Sequence, residues 1–278
     1  MIIGKEPLDL RLVLIDSAQC FRWKEADGKF GCVLNGNPIW LMETPEGIKA
    51  EGEFDPAWLR HYLDLDRDYS CVAAEYDHIP VARRAIEMFP GMRVLNQPTW
   101  EALITFILSA NNNVIRIRSL ADALCRRFGK KWDFDGCTLH GFPSPEQLAS
   151  ASEEELRNMK MGYRTPFLIE TAKRVRDGFP LDELKSMPYD EALGMLTTLP
   201  GVGDKVANCV LLFGCEHASA FPVDVWVDKL LKSWFGIEAK GRKKMLEASR
   251  AMLGEHAGLL QQFLFHAART GGIPLDES

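Results

Sequence analysis

Leu199-Pro200-Gly201-Val202-Gly203-Asp204-Lys205-Val206-Ala207-Asn208-Cys209 is the stretch on which the reading of this chain turns. Two glycines two residues apart permit a tight hairpin whose backbone N–H groups point outward at the start of the next helix, where the macrodipole also favours an anion. Gly201, Val202, Gly203 and Val206 are therefore candidate phosphate contacts, and Gly203 is expected to take a positive φ where a nucleic-acid backbone comes close. A dinucleotide-binding turn is a poor match, because the flanks read as helix rather than strand and the third glycine is missing. By itself G-V-G is more often a plain helix connector than a cradle, so its neighbours decide. Lys205 falls in the first turn of the following helix, where N–H dipoles and partial burial disfavour an ammonium and leave an amine able to attack. Asp224, in Phe221-Pro222-Val223-Asp224-Val225-Trp226, precedes an apolar-periodic run and reads as a helix N-cap held ionised by the N–H groups it caps.

Outward from the hairpin, the apolar period predicts helices over 98–110, 114–128, 145–150, 153–159, 165–177, 188–198, 204–214, 225–235, 242–253 and 256–269. Residues 10–53 read differently. The runs LRLVLI, CFRWKE, KFGCVL and PIWLME are separated by turn pairs such as Asp27-Gly28 and Asn35-Gly36, a pattern for an antiparallel meander. The fold class expected is α+β: an N-terminal antiparallel β-sheet domain with helices over 1–80, followed by an all-α domain over 81–278.

The chain has 278 residues, 46% hydrophobic, and a net charge of −6. An acidic balance argues against a polyanionic partner until its location is considered. Residues 43–77 hold ten acids and three bases, so the remainder is slightly basic and the acidic segment is expected to face away from any DNA. Seven cysteines without a C-x-x-C pair fit neither a disulfide framework nor a closed zinc site, and Cys137 and His140 lack a second ligand pair. No apolar run long enough to cross a membrane and no secretory leader are seen, so a cytoplasmic protein is expected.

Three further motifs stand in order with the hairpin: Asp16-Ser17-Ala18-Gln19-Cys20-Phe21-Arg22-Trp23, Ser109-Ala110-Asn111-Asn112-Asn113 and Gly162-Tyr163-Arg164. Together they resemble the 8-oxoguanine DNA glycosylase branch of the helix-hairpin-helix (HhH-GPD) superfamily, bacterial members included. The resemblance implies a glycosylase domain over 81–278 acting as a monomer on double-stranded DNA that contains oxidised guanine. It implies that Lys205 attacks the sugar C1′, forms a Schiff base and permits β-elimination, with Asp224 stabilising the cationic sugar. A flipped base is implied to lie between Cys209 and Phe265 with Gln261 on its Watson–Crick edge. Lysine and Cys209 share a helix face at i, i+4, as do Gln261 and Phe265.

Oxidised guanine differs from guanine at N7, which becomes a donor, so an acceptor must face it. The family uses a backbone carbonyl, usually of glycine, and the matching residue here is Ala18, which adds a methyl group. Asn111, Arg116 and Arg164 match positions that address the base left behind, with Tyr163 as the wedge. Trp226 stands where many eukaryotic relatives carry histidine. No cofactor is required on this reading. The iron–sulfur loop of the endonuclease III relatives is excluded because no cysteine follows Cys215, while a monovalent cation on hairpin carbonyls is allowed. Two rivals remain: a monofunctional alkylation-type glycosylase, which lacks a nucleophilic lysine, and a non-catalytic helix-hairpin-helix DNA-binding module, which needs neither Lys205 nor Asp224.

Overall fold

The computed structural model describes residues 1–134, 136–237 and 241–275. Strands β1 (Ile2–Gly4), β2 (Lys24–Ala26), β3 (Lys29–Leu34), β4 (Asn37–Thr44) and β5 (Gly47–Gly52) form one antiparallel sheet in the order β1-β5-β4-β3-β2. The meander from β2 to β5 is the one the turn pairs predict, with Asp27, Gly28, Asn35 and Gly36 all at positive φ. The run Leu10–Ile15 is not its first strand. Residues Leu12–Asp16 form a helical turn begun by Asp9, whose carboxylate accepts the Leu12 N–H at 2.8 Å. Leu10, Leu12, Val13 and Leu14 are all buried, so the run shows neither alternation nor helical period and its β-rich composition misleads. The edge strand is β1 instead.

Helices α1 (Pro56–Tyr62), α2 (Tyr69–Tyr76) and α3 (Pro80–Met88) lead into the helical part. There α4 (Thr99–Ser109), α5 (Val114–Phe128), α6 (Pro145–Ala149), α7 (Glu153–Asn158) and α8 (Thr165–Arg176) are followed by α9 (Tyr189–Thr197), α10 (Asp204–Gly214), α11 (Val225–Phe235), α12 (Arg242–Leu253) and α13 (Ala257–Arg269). All ten helices expected after residue 98 are present, with ends within one residue. The helical reading misses one element. Strands β6 (Lys131–Phe134) and β7 (Cys137–His140) make a hairpin between α5 and α6, so Cys137 and His140 are strand residues.

One apolar cluster lies beneath the sheet, with Leu14, Trp23, Leu41, Tyr62 and Leu95. The larger one gathers around α4, α10 and α13. From Val206 to Gly214 every residue of α10 is buried, and Phe213 stacks on Phe106 of α4 with ring centres 5.3 Å apart. Only the first turn of α10 reaches the surface, which leaves its N–H groups aligned at the edge of a low-dielectric interior. Among the described residues no helix is long and apolar enough to cross a membrane.

A buried ion pair joins the sheet to the helices. Arg22, just before β2, pairs with Glu101 of α4, the two side chains being 4% and 8% exposed. The same guanidinium donates to the carbonyls of Val33 at 2.9 Å and His140 at 3.2 Å, and so clamps the β6–β7 hairpin as well. Burial pushes the Glu101 carboxyl up while Arg22 draws it back. Losing one partner strands the other charge, which costs about 3–5 kcal/mol. Glu101→Leu should therefore shift the urea midpoint strongly at unchanged slope, and Arg22→Met/Glu101→Leu should be more stable than Glu101→Leu. Equal stabilities for the single and double variants would show that the pair is not what welds the two parts.

Candidate active site

The 199–204 hairpin projects from the mouth of a groove of about 1290 Å³ between the sheet-side turn at Ala18, α4, α5, α10, α11 and α13. Its two glycines do different work. Gly201 has φ +78°, and a Cβ there would sit 2.7 Å from the Phe167 ring. Gly203 has φ −93° rather than the expected positive value, and an added Cβ would meet nothing within 4 Å. Open space outside Gly203 is thus the feature to explain. The Val202 N–H is already used, donating to the Leu199 carbonyl at 3.1 Å, and the side chains of Val202 and Val206 are buried. Gly203 caps α10 without a side chain, and the first intrahelical bond comes from Ala207, so the N–H groups of 204–206 have no acceptor within the helix.

Lys205 is half-buried on the groove wall. Its Nζ donates to Ser109 Oγ at 2.9 Å and lies 5.4 Å from the centre of the Phe106 ring, and among the described residues it forms no ion pair. A neutral hydroxyl and an aromatic face hold the amine without neutralising it by charge. Asp224 caps α11 as its sequence position predicts, accepting the Val227 N–H at 2.8 Å. Cys209 is buried one turn along from Lys205. Burial pushes its thiol up, the Lys205 ammonium pulls it back and the Asp224 carboxylate adds to the rise, which places all three in one field.

Asn208 was not singled out from the sequence, yet it fixes this geometry. Its Nδ2 donates to the Asp204 carbonyl at 2.8 Å, while its Oδ1 accepts from Tyr189 Oη at 2.8 Å and from the Phe221 N–H at 3.1 Å. In the sequence it shows only as an amide three residues past the candidate nucleophile, since its burial and its bonds to Tyr189 and Phe221 depend on parts distant along the chain.

Other expected residues divide between wall and interior. Ala18, Asn111, Arg116 and Phe265 line the groove. Gln261 is 4% exposed behind that wall, its Oε1 buried without a hydrogen-bond partner among the described residues. Tyr163 is 50% exposed at the rim, donating to the Ala110 carbonyl at 2.9 Å. Arg164 is buried and donates to the carbonyls of Ala110 and Asn111. Arg116 donates to the Lys160 carbonyl at 2.9 Å. Ile115, 84% exposed, and the exposed Val225 and Trp226 stand on the groove walls, an apolar exposure characteristic of a surface that a partner covers. None of the groove residues comes from the acidic segment 43–77.

Known proteins are similar to this chain in sequence and architecture. Residues 104–255 match the HhH-GPD superfamily base excision DNA repair protein family, and residues 1–103 match the 8-oxoguanine DNA glycosylase N-terminal domain. A probable N-glycosylase/DNA lyase of Methanothermobacter thermautotrophicus is 32% identical, the alignment covering 90% of each chain. The N-glycosylase/DNA lyase of Saccharomyces cerevisiae is 35% identical over 67% of this chain and 60% of its own length. The 8-oxoguanine glycosylase/lyase of Clostridium acetobutylicum, solved with double-stranded DNA carrying cytosine opposite 8-oxoguanine, superposes with TM-score 0.90 at 29% identity, covering 96% of this chain and 94% of its own. A 3-methyladenine DNA-glycosylase from Archaeoglobus fulgidus, at 23% identity and TM-score 0.80, shares the fold. With both family regions matched in order and the Methanothermobacter relative aligned along nearly the whole chain, this chain belongs to the HhH-GPD superfamily of base excision DNA repair proteins, in its 8-oxoguanine DNA glycosylase branch.

Proposed function

We propose that Lys205 and Asp224 carry the chemistry of a bifunctional DNA glycosylase/AP lyase that excises 8-oxoguanine from duplex DNA. The observation that carries this reading is the placement of Lys205 in the groove, its amine held by Ser109 and Phe106 with Asp224 lining the same groove. The amine attacks C1′, the C1′–N9 bond breaks, and the base departs with its electron pair and takes up a proton. The nitrogen then loses a proton as the C1′–O4′ bond opens and O4′ takes up a proton; the Schiff base so formed makes the C2′ proton acidic, and its loss expels the 3′ phosphate. Asp224, acceptor-only when ionised, stabilises positive charge at C1′ as the base leaves. A monofunctional alkylation-type enzyme or a non-catalytic module has no use for a lysine so placed.

Recognition follows the same division. The N–H groups at the start of α10 receive a phosphate, Asn111 and Arg116 address the orphaned base, and Tyr163 wedges at the rim. Arg164 acts here through the carbonyls it holds at Ala110 and Asn111. Phe265 stacks on the flipped base, Cys209 lies on its other side, and Gln261, whose Oε1 lacks a donor, meets its Watson–Crick edge. The Ala18 carbonyl accepts from N7–H, the group that distinguishes oxidised from normal guanine. A monovalent cation at the hairpin would use carbonyls such as those of Leu199 and Pro200, which accept one bond each and keep a second lone pair. No step of the reaction passes through it.

Borohydride should trap a covalent adduct on DNA bearing one 8-oxoguanine, and Lys205→Gln should abolish the adduct while retaining duplex binding. An adduct formed by the variant would assign the nucleophile to another amine. At the hairpin, Gly203→Ala should leave the melting temperature unchanged and weaken binding to damaged and undamaged duplexes alike, whereas Gly201→Ala should lower stability through its clash with Phe167. A loss at Gly203 confined to the lesion duplex would mean that the hairpin reads the base. Phe265→Ala should cost about 1–3 kcal/mol of lesion affinity at fixed salt, the scale of base–aromatic stacking. Gln261→Ala should impair 8-oxoguanine excision more than cleavage of a pre-formed abasic site, and equal losses would move the base pocket elsewhere.

A further inference from the structure

The turn that carries Ala18 is held by side chains rather than by strand pairing. The carbonyls that end the Leu12–Asp16 helical turn need partners from outside it. Arg118 of α5 donates to the Ile15 carbonyl and Arg269 of α13 to the Asp16 carbonyl. Gln262 of α13 donates through Nε2 to the Ser17 carbonyl at 2.8 Å, and on the far side Gln97 Nε2 reaches the Gln19 carbonyl at 2.7 Å. Ala18 is then the one residue from 15 to 19 whose carbonyl accepts nothing among the described residues. Its φ is +60°, a conformation an alanine adopts only against strain, so contacts around it must hold it there.

Those contacts come from the helix that also bears the base-facing groups. Gln262 is 2% exposed and adjoins Gln261, while the Arg269 guanidinium lies 5.9 Å from the centre of the Phe265 ring. Arg118 and Arg269 thus donate to the carbonyls of adjacent residues, and burial and Arg118 hold Arg269 below its ordinary range against the pull of Asp16. With the peptides before and after it fixed, the unit bearing the Ala18 carbonyl has little freedom to turn.

We propose that Gln262, Arg269 and Arg118 are positioning residues that aim the Ala18 carbonyl, so that selection of 8-oxoguanine over guanine is set by side chains of α13 and α5 that do not touch the base. The inference rests on the reading that this carbonyl accepts from N7–H. Removing Gln262's donor leaves the buried Ser17 carbonyl unpaired and frees the turn, while Lys205 and its surroundings keep their contacts.

The test is single-turnover kinetics of Gln262→Leu on two duplexes, one with 8-oxoguanine opposite cytosine and one with a pre-formed abasic site, alongside thermal melting. Excision should fall by about tenfold or more while abasic-site cleavage stays within about threefold. Arg269→Met, at the half-buried end of α13, should give the same split at smaller size and serves where Gln262→Leu does not fold. Equal losses on both duplexes, or undiminished excision in both variants, would overturn the brace while leaving the glycosylase reading intact. A wild-type chain that cleaves the abasic site but leaves 8-oxoguanine in place would overturn that reading, and this inference with it.

Discussion

One buried amide holds the site together. Asn208 ties the first turn of α10, the loop that ends in Asp224 and the start of α9 through three hydrogen bonds from a single side chain. Each typically adds about 1 kcal/mol to stability, but leaving one buried partner unmade costs about 1–3 kcal/mol, so the arrangement resists partial loosening. Its geometric consequence is larger than its energetic one. The candidate nucleophile and its carboxylate lie on different elements, and reacting groups tolerate displacements well under 1 Å before rate is lost. A rigid, fully buried helix with only its first turn exposed is therefore a sound mount for Lys205, and Asn208 transmits that rigidity to the Asp224 loop.

Charge is arranged on the same principle of local rather than global balance. A chain of net charge −6 is an unpromising partner for DNA, yet the segment richest in acid contributes no residue to the groove. Among the described residues the groove offers unpaired N–H groups at the start of α10, the guanidinium of Arg116 and a Lys205 without an ion pair. Backbone dipoles at a helix start attract phosphate without adding net charge, which lets the protein remain acidic overall.

Most of this was legible in the sequence because the informative elements are amphipathic or bounded by turn chemistry. The hairpin, the Asp224 cap and ten helices follow from glycine spacing, cap residues and apolar period. Failures fall where burial is uniform or a signal was absorbed by its surroundings. Leu10–Ile15 is buried on nearly every side, so composition spoke for a strand and Asp9 decided for a helical turn. The hairpin of β6 and β7 was announced by the pair Asp135-Gly136, the same signal that located the first meander, but a long helical context hid it. Site residues divide likewise: Lys205 and Asp224 declare themselves through local motifs, whereas Asn208 and Ser109 matter through contacts distant in sequence, which no local pattern encodes.

The burial of Gln261 and Cys209 behind the groove wall bears on how selectivity can arise. An acceptor such as Gln261 Oε1, buried without a partner, raises the free energy of the empty site by about 1–3 kcal/mol. A base that supplies the missing donor recovers that cost, and one that cannot reach it leaves the cost standing. The Ala18 carbonyl, also unpaired among the described residues but on the wall, works from the other side of the same logic. It accepts, on the proposed reading, from a lesion that presents N7–H and repels the lone pair of normal guanine. On the proposed reading the two acceptors ask different questions, one whether a guanine-like edge has entered fully and the other whether its N7 bears a proton. Discrimination then requires no large contact area, only that both acceptors be kept from finding partners within the chain, and this is why the turn around Ala18 must be held so firmly.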